Sequence, residues 1–291
     1  FIQNTNPLVV SPESLLVRKG FSRSDLFVCV HEQFMTETAK YADIILPATT
    51  FVEHDDIYVA GGHQHITFGP KLIEPIGFSR SNHDVLGELA TRLGAKHKGF
   101  NMSEREIIDW TLKTSNYESL SDLEKKGWID VQPDFETSHF INGFGHKDKK
   151  FHFKPNWSEL GPYHENMPIY PEHVDSIEKV SEKMPFRLVT APAHNYLNTS
   201  FTETITSKKK ELRPQVKINP KDIKKYGLKN DCLVKLGNDR GEVTIHVEEF
   251  LGTQEGVVIV EGIWPNEAFI NSNGINTLVG SDPVPPNGGA A

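Results

Sequence analysis

Two short apolar runs, LFVCV at 26–30 and DIILP at 43–47, bracket a polar segment early in the chain. An unbroken β-branched and aromatic run leaves no face for water, so each run reads as a fully buried strand. Pro47 ends the second, because it has no amide hydrogen to donate. Between the runs Thr36 carries the hydroxyl of an N-cap and Glu37 the acidic side chain favoured in a first turn, which predicts a crossover helix over 36–41. Strand, helix, strand is a βαβ unit. Its ligands bind at the carboxyl ends of the strands, here at His31, Glu32 and Gln33.

The rest of the pattern falls into three stretches. Phe1 and Ile2 read as the end of a strand whose beginning is absent, so the chain is expected to be a fragment of a longer polypeptide. A polar loop at 4–6 and the Ser11-Pro12-Glu13 helix start then bring free amides to a strand end, a place suited to a phosphate or a nucleoside. Ser81 or Asn82 caps a helix over 83–94 whose apolar stripe is Val85, Leu86, Leu89, Ala90 and Leu93. Ser103 caps the next helix, and Ser121 with Asp122 starts a third that Gly127 ends. From 128 to 184 periodicity fades into an aromatic connector, with a strand expected at FHFKP, 151–155. Beyond it, short strands are spaced by turn signals: FRLVT at 186–190, then Val216 and Ile218 facing inward ahead of an Asn219 cap. A hairpin turning at 238–241 has Val243, Ile245 and Val247 inside, and GVVIVEG follows. That spacing predicts a small β-barrel. The tail from 273 onward is too rich in Pro, Gly and Asn for strands.

Composition narrows the function. The net charge of -8, from 31 basic and 39 acidic residues, argues against nucleic acid as a partner. Lys208, Lys209 and Lys210 read as a solvated loop. No apolar run is long enough for a membrane span, and the cytoplasm is the expected compartment. Two distant cysteines, Cys29 and Cys232, supply neither a disulfide framework nor an iron-sulfur motif. His63 and His65 would face the same side of a strand but lack a third ligand, so they read as a surface pair.

Four blocks together carry a family resemblance: NTNPLVVSP, FVCVHEQFMTETAKYADIILPATTFVEHDD, FRLVTAPAHNYLNTSF and VKINPKDIKKYGLKNDCLVKLGNDRGEV. The chain resembles the C-terminal portion of molybdopterin oxidoreductases of the dimethyl sulfoxide reductase family, which carry molybdenum in bis(molybdopterin guanine dinucleotide). The resemblance implies an α/β Rossmann-like half-domain at 1–127, a connector at 128–184 and a double-psi β-barrel, the molybdopterin dinucleotide-binding domain, at 185–291. It also implies that Asn6, Pro7, His31, Glu32, Thr190, Ala191, His194, Asn195 and Asn276 hold the cofactor. Three positions depart from the family pattern. Thr190 is followed by Ala191-Pro192 where Thr-Gly-Arg is usual, His31 or Glu32 stands at the place of the usual acidic residue after the strand, and Asn230-Asp231 replaces Gly-Asp. The EHDDI block and GGHQHITFGP are nearer to the S- and N-oxide reductase branch.

The expected activity of the intact enzyme is transfer of two electrons and an oxygen atom at molybdenum. No residue of this chain is read as a metal ligand or proton donor; the resemblance places the molybdenum ligand, and any iron-sulfur cluster, in an N-terminal part that precedes these residues. His54, His63 and His65 are candidates for a substrate funnel. The expected partners are the rest of the same polypeptide or a catalytic subunit, and a small-molecule substrate. The alternative is a non-catalytic binding subunit or scaffold, since double-psi barrels also occur in ATPases and in a decarboxylase.

Overall fold

The computed structural model describes residues 1–170, 172–173, 177–286 and 289–290. Residues 171 and 174–176 of the predicted connector, and 287, 288 and 291 of the tail, lie outside the described residues. The chain forms two units. The first comprises Phe1–Asn4, Cys29–Met35 and Asp43–His152; the second comprises Thr5–Val28, Thr36–Ala42 and Phe153–Ala291.

In the first unit, β1 (Ile2–Gln3), β2 (Cys29–Glu32) and β3 (Ile44–Pro47) form a parallel sheet in that order. Ile2 pairs with Val30, and Cys29 with Ile44. The parallel pairing agrees with the βαβ reading, but its details differ. The strand starts at Cys29 and leaves Phe27 67% exposed, while β3 exposes Ile44 (46%) and Ile45 (40%). A buried strand was expected there because an apolar run does not reveal whether its sheet is covered. β4 (Asp56–Val59), β5 (His65–Gly69) and β6 (Trp128–Asp130) form an antiparallel sheet.

The helices Glu104–Thr114 and Leu120–Lys126 bury Ile108, Leu112, Leu120 and Leu123 with Ile66 and Ile129. Their starts follow sequence chemistry. Ser103 and Glu106 form a reciprocal capping box. The third helix is capped by Ser119, two residues ahead of the expected Ser121. Gly127 ends it at φ 85°, where a side chain is disfavoured. Helix Asn82–Arg92 is capped by Ser81, yet its expected apolar stripe is not its buried side: Leu86, Leu89 and Leu93 are exposed while Gly87 is buried. A Cβ at Gly87 would meet the Phe100 carbonyl at 2.9 Å, so that side of the helix approaches neighbouring backbone closely.

The second unit is built on a mixed sheet of β7 (Arg187–Ala191), β8 (Gln215–Ile218), β9 (Leu233–Asn238), β10 (Gly241–Glu249) and β11 (Val257–Glu261), ordered β7-β11-β8-β10-β9. β7 is parallel to β11 and β8 to β10, whereas β8–β11 and β9–β10 are antiparallel. Alternation sends Val216, Ile218, Val243, Ile245, Val247, Val258 and Val260 into one core with Trp264 and Phe269. Asn219 caps Pro220–Lys225 as expected, its Oδ1 accepting from Lys221 N at 2.9 Å.

Five local expectations are corrected by the structure. Lys208, Lys209 and Lys210 form the last turn of helix Ile205–Glu211, where the dipole favours cations. Residues 151–155 are not a strand, and Pro283–Val284 pairs with Gly289–Ala290 in the tail. The crossover helix shrinks to a 3-10 turn, Ala39–Tyr41, with Thr36 Oγ1 accepting from Ala39 N at 3.1 Å. Glu13, at φ 49°, precedes helix Ser14–Phe21 in place of Ser11. No helix among the described residues is long and apolar enough to cross a membrane.

Candidate functional site

Asn6, Pro7 and Asn276 meet around a single helical turn in the second unit. Pro7–Val10 is too short to satisfy its own backbone groups, and side chains from distant segments do so. Thr38 Oγ1 accepts from Leu8 N at 3.2 Å and donates to Asn6 Oδ1 at 2.7 Å. At the other end Asn276 Nδ2 donates to Val9 O at 2.7 Å, and Asn266 Nδ2 to Leu8 O at 3.0 Å. Asn266 is in turn gripped by Glu37, whose two carboxylate oxygens accept its backbone and side-chain amides at 2.5 Å each. Ser14 Oγ and Thr277 Oγ1 add a buried contact at 3.0 Å. Glu37, Thr38 and Asn266 were not among the expected site residues. TETA was legible as a helix start, but nothing local shows that its second residue, Glu37, reaches Asn266 or that its third, Thr38, reaches back to Asn6 and Leu8.

Thr190, Ala191, His194 and Asn195 lie at the carboxyl end of β7 and in the loop that follows. Thr190 and His194 are exposed. Asn195 is engaged, with both its backbone amide and its Nδ2 donating to Glu211 Oε1, at 2.6 and 2.8 Å. Gly262 N donates to Ala191 O at 2.8 Å and fixes the strand end. Leu197 and Phe201 are exposed further along the loop. β7 is the edge strand of its sheet.

His31 and Glu32 belong to the first unit. His31 is fully buried, its Nδ1 accepting from Gln3 Nε2 at 2.9 Å and its Nε2 hydrogen directed at Arg80 O, 3.2 Å away. Glu32 is half-buried, and its Oε1 accepts from Gln33 N at 2.8 Å. Past the end of β3 the buried Glu53 accepts hydrogen bonds from Thr50 N (2.6 Å), Thr50 Oγ1 (2.7 Å), Ile76 N (2.7 Å) and Ser79 Oγ (3.4 Å). Those donors, the Thr50 amide first, pull its pKa down to about 2. The sequence showed only a charged turn there.

The three histidines considered for a substrate funnel do not gather on one feature. His54 Nδ1 is 2.8 Å from Thr49 Oγ1, whereas His63 and His65 pack their rings 5.4 Å apart and His65 lies edge-on to Trp128. No group of three or more His, Cys, Asp or Glu among the described residues could hold a metal ion. A cleft of about 510 Å³ along helix Asn82–Arg92 contains none of the expected residues, and its Arg80 and Arg92 both pair with Glu88.

At the carboxyl end of β7 an exposed hydroxyl and imidazole can hydrogen-bond a base or a phosphate, the contacts that one arm of a dinucleotide would need. The buried Asn266 Oδ1 has no hydrogen-bond partner, but it faces Gly274 within the fold and offers nothing to a ligand.

Residues 1–92 match the family model "Molybdopterin oxidoreductase", and residues 186–291 match "Molydopterin dinucleotide binding domain". The chain is similar to the "Probable oxidoreductase YoaE" of Bacillus subtilis, 33% identical over 92% of this chain and 39% of that protein. It is also similar to the "Dimethyl sulfoxide/trimethylamine N-oxide reductase" of Rhodobacter capsulatus, 24% identical over 92% of this chain and 36% of that protein. Among solved structures the acetylene hydratase of Pelobacter acetylenicus shares the fold, with a TM-score of 0.76 at 17% identity, over 96% of this chain and 40% of that one. The chain thus spans about two-fifths of the length of the relatives it matches. With residues 1–92 and 186–291 matched by the family's own models and 92% of the chain paralleled in proteins named as an oxidoreductase and a reductase, the chain belongs to the molybdopterin oxidoreductases of the dimethyl sulfoxide reductase family.

Proposed function

We propose that this chain is the cofactor-binding portion of a molybdenum oxidoreductase, and that its second unit holds a guanine dinucleotide arm through the loop after β7. The observation that carries the reading is the carboxyl end of β7, where Thr190 and His194 are exposed inside the segment that matches the dinucleotide-binding domain. Thr190 Oγ1 and the His194 ring serve as hydrogen-bonding groups to base or phosphate, and Ala191 lets the backbone approach. Asn195, held by Glu211, fixes the loop. His31 and Glu32 shape a strand end in the other unit. Asn6, Pro7 and Asn276 act through the backbone of the turn they build. The parallel pairs β7–β11 and β8–β10, inside an otherwise antiparallel sheet, support a double-psi arrangement for the barrel.

When bound, the cofactor supplies the metal at which an oxygen atom or two electrons are exchanged. The chain's own residues bind it, orient it and keep its nucleotide out of water; the metal ligand is supplied by other residues of the enzyme. In this account the 291 residues alone are catalytically inert. The scaffold alternative gains nothing from the comparisons, in which relatives named as oxidoreductases match nearly the whole chain. The test is His194→Ala together with Thr190→Val in the complete enzyme. Cofactor-derived guanine nucleotide per protein should fall several-fold while the fold, read by circular dichroism, is kept. Unchanged nucleotide content in the double variant would remove the loop from the site.

A further inference from the structure

Two helices of eleven residues in the first unit differ in what becomes of their apolar sides. Glu104–Thr114 buries Ile108 and Leu112 together with Ile66 and Ile129 of the neighbouring strands. Asn82–Arg92 instead leaves Leu86 and Leu89 exposed, and Leu93 at its end is 77% exposed. Leucines spaced by three and four residues share one side of a helix, and a globular helix buries such a stripe. The segment ahead of this helix repeats the pattern. Residues 71–80 run along 47–53: Leu72 N and Ile73 N donate to Val52 O at 2.8 and 3.1 Å, and Arg80 N donates to Pro47 O at 3.1 Å. Ile76 N and Ser79 Oγ donate to the buried Glu53 at 2.7 and 3.4 Å. The backbone is thus held in one shape, yet Leu72 and Ile76 are exposed and Phe78 is 91% exposed. Phe51, on the segment that 71–80 runs along, is exposed as well. Single exposed leucines are ordinary on a protein surface, but an ordered region that gathers this many large apolar side chains marks an interface.

Resting on the reading that the chain is one portion of a longer oxidoreductase, we propose that helix Asn82–Arg92 and residues 72–78 form an internal docking face, covered in the complete enzyme by the remaining part of the same polypeptide. The occupant follows from length. The chain spans 39% of the Bacillus oxidoreductase and 36% of the Rhodobacter reductase, so more than half of each relative lies outside the match and has to pack against what is inside it. The occupant presents an apolar surface to Ile76, Phe78, Leu86, Leu89 and Leu93. Arg80 and Arg92 both pair with Glu88, so these charges need no partner from the docking segment. Glu53 gains a purpose in this arrangement, since its bonds to Ile76 and Ser79 fix the loop that carries Phe78 outward before anything covers it.

The test is hydroxyl-radical footprinting, read by mass spectrometry, of the unaltered 291-residue chain and of the complete enzyme. Phe78, Leu86 and Leu89 should be oxidised freely in the chain and roughly tenfold less in the complete enzyme. Leu89→Lys gives an independent check. It should leave the melting of the 291-residue chain unchanged, because the position is exposed there, and should cut the yield of folded complete enzyme severalfold, because an ammonium group would enter an apolar contact. Equal oxidation of Phe78 and Leu89 in the two proteins would overturn the docking face, as would a Leu89→Lys complete enzyme that folds and melts like the unaltered one. Protection already present in the chain and lost on dilution would assign the face to a second copy, and would overturn the proposal too. A complete enzyme that protects the face but holds neither molybdenum nor guanine nucleotide would sink the cofactor reading and leave the interface standing. One that holds both with Phe78 freely oxidised would do the reverse.

Discussion

Glu53 shows how one buried carboxylate can organise a loop without a cation. Four hydrogen bonds converge on it from Thr50, Ile76 and Ser79, and they hold its pKa near 2, against 4.5 for an unperturbed glutamate. Because the folded value is the lower one, the unfolded chain takes up the proton first as pH falls. The stabilisation is therefore complete above about pH 4.5 and is lost progressively toward pH 2. Thermal melts between pH 7 and pH 3 should show Glu53→Gln melting below the native chain at neutral pH and converging on it at the acid end. Parallel curves at all pH values would show that folding leaves the Glu53 pKa unshifted. Sequence reading missed this residue for the same reason that it missed Glu37, Thr38 and Asn266. A hydrogen-bond partner is chosen by the tertiary fold, and a charged turn looks the same whether its carboxylate faces water or four donors. His31 makes the converse point: its place at a strand end was legible, but its two partners, Gln3 and Arg80, are far from it in sequence.

At the scale of elements, what depends on local chemistry was readable. The caps at Ser81, Ser103 and Asn219, the stop at Gly127 and the inward alternation of Val243, Ile245 and Val247 are each dictated by a few neighbouring residues. What depends on coverage was not. The runs LFVCV and DIILP are apolar whether or not something lies over them, and Ile44 and Ile45 remain exposed in these 291 residues. Two substitutions separate conformational from packing effects in the first unit. Gly127→Ala meets no atom within 4 Å, so its cost comes from φ 85° alone and should be about 1 kcal/mol in denaturant titrations. Leu112→Ala removes a side chain only 1% exposed from the core with Leu120 and Leu123 and should cost about 2–5 kcal/mol. A Gly127→Ala cost as large as that of Leu112→Ala would mean that the helix end is packed more tightly than its open surroundings indicate.

For the whole molecule, the family was legible because its four sequence blocks sit at structurally demanding places: a parallel strand pair, a self-insufficient turn, an edge-strand loop and a tight hairpin. Their partition between the two units was not, since 5–28 and 36–42 fold with the second unit although they lie in sequence among the strands of the first. That interleaving explains why a motif read as a ligand contact can serve as internal scaffolding. Asn6 and Asn276 hold a turn in place, while the exposed polar groups that remain are those after β7. The account as a whole rests on that loop meeting a guanine dinucleotide. The measurement that tests it most directly is the molybdenum and acid-released GMP content of the complete enzyme, purified without added cofactor. The account predicts that both are present and that GMP content drops in the His194→Ala, Thr190→Val protein. An active, folded enzyme containing neither molybdenum nor GMP would contradict it.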